Sequence, residues 1–429
     1  MKKRLEITAL TDKHSSRVLF LCCFCFYFLI YLGRLNYSAA LAGITSSGFL
    51  EKDAAGLIST SFFICYGTGQ FFSGFTADRL SPFELVAFGI LMAGGANLLM
   101  YLSLKLGAGL GVYMAIWAVN GIVQSTVWPT MIRIISNILP EDMRVGAAVS
   151  ILATTAVGTV LSYLLSTLVM SVAGWRECFL VPGLILAVAG VTWYLITLPI
   201  SKKSRRYVEV LDMTVSEVKD DATRPKGDLR RLLELMIASG VIIMFIPTAA
   251  MAIIKDGITT WTPTIITEQF MTKPEFASLT SSLIPLISLF GAVLSKLFME
   301  KLLHDELKSS ALMFGLAGLM FILLFLVGSL NIFVMLVLLA LVIALMLGVN
   351  TMVISLVPLR FGKYGCSATM TGIMNSIAGI SCGVSTYIAG LISKIYGWDV
   401  VFGVFLGLCA VGLVLSLVVV RRWIRFKQK

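Results

Sequence analysis

Charge disappears from this chain for about twenty residues at a time, again and again, and that pattern limits its fold more than any other feature. Nine such stretches lie between Asp53 and Asp78, Glu84 and Lys105, Lys105 and Arg133, Arg144 and Arg176, Glu177 and Lys202, Glu234 and Lys255, Glu275 and Lys296, Lys363 and Lys394, and Asp399 and Arg421. A membrane-crossing helix needs about 20 mostly apolar residues, so each stretch predicts one crossing. The uncharged segment Ser309–Leu359 is 51 residues long and predicts two, turning at Ser329-Leu330-Asn331. Val18–Gly33 opens a further helix, which brings the expected number to twelve. The apolar run is longer than the core of an ordinary secretion signal, so the "SAALAG" that follows it is read as helix and not as a cleavage site.

Only 13% of the residues are charged and 58% are hydrophobic, where soluble domains carry about 25% charge. The net charge of +11 would fit a nucleic-acid partner if it were spread evenly, and it is not. If the first residues are cytoplasmic, 27 Lys and Arg fall on that side and five (Lys52, Lys105, Arg176, Lys273, Lys394) on the other. This is the positive-inside bias, and it predicts both termini in the cytoplasm. No nucleic acid and no cofactor are expected as partners. A soluble enzyme is not expected either: the sequence has no phosphate-cradling Gly-Lys loop, no His-based triad and no metal motif. Cys22 and Cys25 form a lone CxxC inside an apolar helix and are read as packing residues.

Residues 200–232 form the one long polar stretch, between an expected six-helix bundle (1–199) and a second (233–429). The halves echo each other: "AGWRECFLVPGLILAVAG" opens the sixth helix and "YGWDVVFGVFLGLCAVGL" the twelfth, with their Gly-Trp pairs 223 residues apart. A parallel repeat of six-helix units, all α-helical in the membrane, is the major facilitator architecture, with its substrate site at the midplane between halves. "GFTADRLSP", with Asp78-Arg79, fits the short turn after the second helix of that fold.

Two charges break the apolar pattern. Arg34 lies inside the first helix, and Lys255 follows it by 221 residues, almost the repeat offset. An arginine at the bilayer centre costs roughly 2.5–3.5 kcal/mol even on the lenient insertion scale, so such a residue is a functional candidate. Pseudo-symmetry brings the two cations toward one central cavity. There they suit an anion of concentrated charge, Arg as a bidentate fork and Lys as a point charge. Tyr27, Tyr31, Arg34 and Ser38 share one helical face, and Thr248, Ala252, Lys255, Thr259 and Thr262 another. Asn120, Gln124 and Trp128 recur at intervals of four in the fourth helix. The fifth-helix stripe of Thr155, Gly158, Ser162 and Ser166 reads better as close helix packing. Asp256 follows Lys255 directly, about 100° away around the helix, which argues against a good pair between them. A structural role for Asp256, neutralising Arg34 or Lys255, stays open.

These residues resemble those of the organophosphate:phosphate antiporter family, which includes glycerol-3-phosphate, hexose-phosphate and glucose-6-phosphate transporters. "YLGRLNYS" resembles the first-helix pattern with its binding arginine, here Arg34. "NGIVQSTVWPTMIR" resembles the fourth-helix signature, here Gln124, Trp128 and Pro129. "KDGITTWTPTII" resembles the seventh-helix segment, with the second binding base at Lys255 and the Trp-x-Pro at Trp261 and Pro263. The chain departs from the pattern at Leu35 and Gln70, where relatives carry lysine, and at Thr155, where some carry histidine. An acidic residue of some eighth helices is absent between Glu275 and Glu300.

The resemblance implies a multi-pass secondary transporter of a bacterial plasma membrane, acting as a monomer among lipids. It would exchange an organic phosphate, held between Arg34 and Lys255, for inorganic phosphate. Tyr27, Tyr31, Gln124, Trp128 and Asn375 would shape specificity, with Thr155, Asp256 and Trp261 beside them. Two alternatives stand: a proton-coupled symporter of a carboxylate or sugar acid with Asp256 as proton carrier, and a sensor that binds without transporting.

Overall fold

The computed structural model describes residues 2–7, 10–77, 81–210, 229–288, 290–361, 364 and 367–428. Twelve helical spans run through them. The first six are α1 (Lys13–Ser46), α2 (Lys52–Ala77), α3 (Pro82–Leu106), α4 (Leu110–Asn137), α5 (Glu141–Val172) and α6 (Glu177–Ser204). A short helix, Leu229–Ser239, then leads into α7 (Val241–Phe270). Next comes α8, built from Pro274–Ser281, Leu283–Ser288, Phe290–Leu297 and a π-helical Phe298–Leu303. The last four are α9 (Glu306–Leu330), α10 (Ile332–Leu359), α11 (Ser367–Tyr396) and α12 (Trp398–Gln428). Among the described residues, ten helices are long and apolar enough by themselves to cross a membrane; α2 and the segmented α8 complete the set.

The turn expected inside the 51-residue uncharged segment is where the sequence put it. Asn331 ends a 3-10 turn at Gly328–Leu330 and caps α10, its side chain accepting from the Phe333 N–H at 2.7 Å. The internal repeat is visible in the backbone too. Gly174 and Gly397, ahead of α6 and α12, both take positive φ, +111° and +84°, where a side chain would be strained. Outside the membrane helices, Lys2–Ile7 pairs antiparallel with Arg205–Val210, a ribbon the hydropathy pattern did not foretell. The Asp78-Arg79 turn and residues 211–228 of the polar stretch lie outside the described residues.

Prolines explain two of the breaks within spans, those in α4 and at the first joint of α8. The first segment of α4 ends at Ser125 and that of α8 at Ser281, each four residues before a proline (Pro129, Pro285). A proline ring clashes with the carbonyl four residues back and offers it no N–H. Pro263 does not break α7, and Thr259 is the residue whose carbonyl it leaves without a helical partner. The hydroxyl of Tyr163 on α5 donates to that oxygen at 3.0 Å, across the interface between halves. Within a membrane a freed carbonyl must find such a substitute.

The halves meet at the end of the bundle opposite to the basic one. There α2 lies against α11, Leu32–Ser46 of α1 against α7 and α8, and α5 against the first two segments of α8. Thr60 Oγ1 donates to the Gly383 carbonyl at 2.6 Å, and a Cβ on Gly67 would stand 3.2 Å from the Gly379 Cα. Small residues let such backbones approach. Ion pairs seal the rim: Lys52 Nζ lies 2.8 Å from Glu268, which also accepts from the Trp398 indole at 2.8 Å. Lys394 pairs with Glu51 and, at 3.2 Å, with Asp53. The Lys13–Ile30 part of α1, toward the basic end, packs on α5 and α6 of its own half.

Candidate functional site

A cavity of about 310 Å³ lies between the two halves, and both intramembrane cations face it. Tyr31, Arg34, Leu35, Phe63, Thr155 and Thr159 line it from the first half. Lys255, Asp256, Thr259, Ser288, Ile343 and Leu347 are among its walls from the second. Of the ten side chains expected to form a site, Tyr31, Arg34, Thr155, Lys255 and Asp256 converge here; the other five do not.

Arg34 sits where α1 breaks. The helix runs Lys13–Ile30, turns at Tyr31 and resumes as Leu32–Ser46. The carbonyl of Gly33 accepts from three amide side chains, Asn97 and Asn120 at 3.0 Å and Gln124 at 3.1 Å. Asn36 extends the network, donating to Asn97 at 2.8 Å and to the Cys178 carbonyl at 2.9 Å. A Cβ at position 33 would collide with Leu186 Cδ1 and Asn97 Nδ2, so only glycine leaves room for these donors. The next residue is thereby fixed with its guanidinium over the Tyr66 ring, 4.1 Å from the centroid, with Phe62 and Tyr31 at 5.7 and 5.6 Å. Aromatic faces stabilise a cation by roughly 0.5–2 kcal/mol in such settings. Among the described residues Arg34 has no carboxylate within ion-pairing distance.

Lys255 has one, contrary to the expectation from helical spacing. Its ammonium lies 2.6 Å from Asp256 Oδ1, both side chains about a quarter exposed to the cavity. Spacing fixes where Cβ atoms point, and the four-carbon lysine stem swings across the difference. The fixed charge of the cavity is therefore one net positive, with the bare cation in the first half and a paired one in the second.

The other five side chains lie off this lining. Gln124 is buried and spent on the Gly33 carbonyl and on Asn120 Oδ1, 2.9 Å away. Tyr27 is buried, its ring 5.8 Å from Tyr31 and 5.1 Å from Trp128, so this pair braces the wall from behind. Trp261 is fully buried toward the sealed end; its indole donates to the Thr386 carbonyl at 3.0 Å and packs on Trp398. Asn375 is exposed and away from the cavity lining. For Gln124 and Trp261, tertiary packing turned the side chain to a neighbour's backbone. Within the fifth-helix stripe, Gly158 packs on α1, where a Cβ would meet the Phe28 carbonyl at 2.7 Å, while Thr155 opens onto the cavity.

Sequence reasoning missed Phe62 and Tyr66. They form an interval-of-four stripe on α2 that ends at Gln70, whose amide donates to the Tyr66 hydroxyl at 3.0 Å. That stripe was the available signal. Among the described residues no group of three His, Cys, Asp or Glu side chains is placed to hold a metal ion.

This cavity, walled by both halves and carrying opposed cations, suits reversible capture of a small anion. Residues 19–386 match the description of the Major Facilitator Superfamily. A "Probable hexose phosphate transport protein" of Chlamydia trachomatis is 22% identical over 412 residues, 92% of this chain and 88% of its own. A "Membrane sensor protein UhpC" of Salmonella typhimurium is 28% identical over 193 residues, 43% of either chain. In fold, the chain resembles a bacterial homolog of the human lysosomal transporter Spinster in an inward-facing, occupied conformation. That match has TM-score 0.68 and 14% identity, over 97% of this chain and 96% of the other. The chain belongs to the Major Facilitator Superfamily, and its relatives repeat the resemblance to organophosphate transporters carried by its first, fourth and seventh helices.

Proposed function

We propose that this chain is a secondary transporter that exchanges an organic phosphate for inorganic phosphate by alternating access. In this reading it lies in a bacterial plasma membrane, with its basic end in the cytoplasm. The observation that carries the reading is the single cavity onto which Arg34 opens from one half and Lys255 from the other. The relatives' names support the phosphate ester as substrate class.

A phosphate entering from the basic end meets two cations, each with a resting partner. The guanidinium leaves the Tyr66 face to fork onto two phosphate oxygens, and the ammonium turns from Asp256 to a third. Contacts to both halves draw them together at the basic end, and the sealed rim opens in exchange. With no anion to bridge them, the Arg34 wall and the Lys255–Asp256 wall gain no shared contact on approach, so the carrier returns loaded. That asymmetry is the basis of exchange.

Proteoliposomes loaded with inorganic phosphate and given labelled sugar phosphate outside test this reading. Arg34→Ala and Lys255→Ala each remove charge-assisted contacts of about 1.5–3 kcal/mol. Each is expected to lower uptake roughly 10- to 100-fold while the protein remains in the membrane. Near-normal uptake by either variant overturns the clamp.

The Lys255–Asp256 pair favours one second reading. Among the described lining residues Asp256 is the one carboxylate, and a symporter would use it as its proton carrier. Uptake driven by a pH gradient into vesicles without internal phosphate marks that symporter; uptake strictly dependent on internal phosphate marks the exchanger. Absence of counterflow from a purified protein that still binds marks a sensor.

A further inference from the structure

Toward the basic end, α12 outruns its apolar stretch. Val411, Val414, Leu417 and Val418 are exposed along one side, and the same side continues as Arg421, Arg422 and Arg425, also exposed. Spacings of three and four along 411, 414, 418, 422 and 425 keep these residues on one helical face. Beside it lies the short helix Leu229–Ser239, with Met236 and Ser239 buried and Leu233 and Ile237 exposed. Gly240 joins this helix to α7 at φ +78°, and a Cβ there would stand 3.0 Å from Val419 and 3.5 Å from the Arg422 stem. This close approach presses the short helix against α12.

Between the two lies a groove of about 360 Å³ lined by Ile237, Ala238, Arg422, Arg425 and Phe426. Neighbouring Lys427 is consumed by Asp305 at 2.6 Å and Glu306 at 2.7 Å. Among the described residues, Arg421, Arg422 and Arg425 form no ion pair. Two free guanidinium groups thus sit at the end of an apolar stripe, at the level where a membrane helix leaves the hydrocarbon.

We propose that this groove binds the headgroup of an anionic phospholipid in the leaflet at the basic end. The phosphate lies on Arg422 and Arg425, and the acyl chains run along Val414, Val418 and Ile237. An apolar wall continuous with the cationic floor fits an amphiphile better than a free anion, because a soluble phosphate has nothing to place on the stripe. The inference uses no feature of the central cavity and stands apart from the transport reading.

The test is a thermal-shift titration of the purified full chain in neutral detergent with phosphatidylglycerol, phosphatidylcholine or inorganic phosphate. Phosphatidylglycerol is expected to stabilise at concentrations where phosphatidylcholine does not. Each cation near an anionic surface contributes about fivefold, so Arg422→Gln/Arg425→Gln is expected to raise half-saturation roughly 30-fold. Arg422→Lys/Arg425→Lys keeps it within a few-fold, and Ala238→Glu, which adds a carboxylate to the groove, weakens it as the glutamine pair does. Lys13→Gln/Lys202→Gln, equal in lost charge and outside the groove, leaves it unchanged. The proposal is overturned if the glutamine pair and Ala238→Glu both respond like the parent, or if the Lys13/Lys202 control loses as much. A response to inorganic phosphate that the glutamine pair abolishes assigns the groove to a soluble anion and overturns the lipid.

Discussion

At the scale of single residues, the site is an arginine held by its neighbour's backbone. Asn97, Asn120 and Gln124 do not touch the cavity; they anchor the Gly33 carbonyl, and Arg34 inherits the position. Gly33→Ala forces a methyl into Leu186 and Asn97, and such overpacking costs typically 1–3 kcal/mol. Its expected signature is a lowered Tm together with lost anion binding, whereas Arg34→Ala loses binding with Tm little changed. Asp256→Asn frees the lysine and raises the fixed charge of the cavity to two positives. Removing a carboxylate from the cavity wall relieves one like-charge repulsion on the anion, which strengthens binding by roughly 1–2 kcal/mol after screening. Titration of the purified variant with inorganic phosphate checks it: a Kd about five- to thirty-fold lower is expected, and a weaker Kd shows that Asp256 orients Lys255. Arg34 and Lys255 were legible in the sequence because charge inside an apolar run is conspicuous. The Lys255–Asp256 contact was not, since helical angles locate Cβ atoms and say little of where a long flexible stem ends.

At the scale of elements, prolines break α4 and α8, side-chain caps start α1, α9 and α10, and a hydrogen bond repairs what Pro263 removes. The Tyr163–Thr259 bond satisfies the carbonyl released by Pro263, and it does so across the halves. Tyr163→Phe removes the donor to that carbonyl, at about 1–3 kcal/mol. A lowered Tm and a shift of the population away from the state closed at the far rim are expected together. The start of α1 supplies a pH dependence. Asp12, its N-cap, is held well below the usual carboxylate range by the Ser15 hydroxyl, the His14 N–H and Lys203. A depressed value means that its stabilisation is complete above the ordinary value of 3.8 and is lost as pH falls below it. The Tm deficit of Asp12→Ala is therefore expected to be full at neutral pH and to narrow in acid. Helix positions and the Asn331 turn were readable from charge-free runs. The ribbon joining Lys2–Ile7 to Arg205–Val210 was not, because it pairs segments about two hundred residues apart in sequence.

At the scale of the molecule, the described contacts between the two bundles clasp them at the end opposite to the basic one. The clasp combines glycine contacts between α2 and α11 with the Lys52–Glu268 and Lys394–Asp53 pairs at the rim. Exposed pairs are each weak, at most about 1 kcal/mol, and are screened by salt. A conformational equilibrium balanced within a few kcal/mol nonetheless responds to two of them. Lys52→Gln/Lys394→Gln is expected to widen the spin-label distance between Lys105→Cys and Lys273→Cys, and high salt to move the parent the same way. An unchanged distance distribution shows that the other contacts between the halves hold the clasp without these two pairs.

The sequence by itself determined what local pattern can encode. That comprises twelve apolar helices, their orientation bias, the duplication of a six-helix unit, and one cation per half at matching depth. These follow from hydropathy, charge and repeat spacing, none of which needs a partner in space. Only the tertiary structure decided which end is closed, which polar stripe faces the cavity and which is spent on a neighbour's backbone, and that the lysine meets its own adjacent aspartate. Such outcomes depend on how helices rotate and press against one another, and side chains four apart share a face whether that face meets water or another helix.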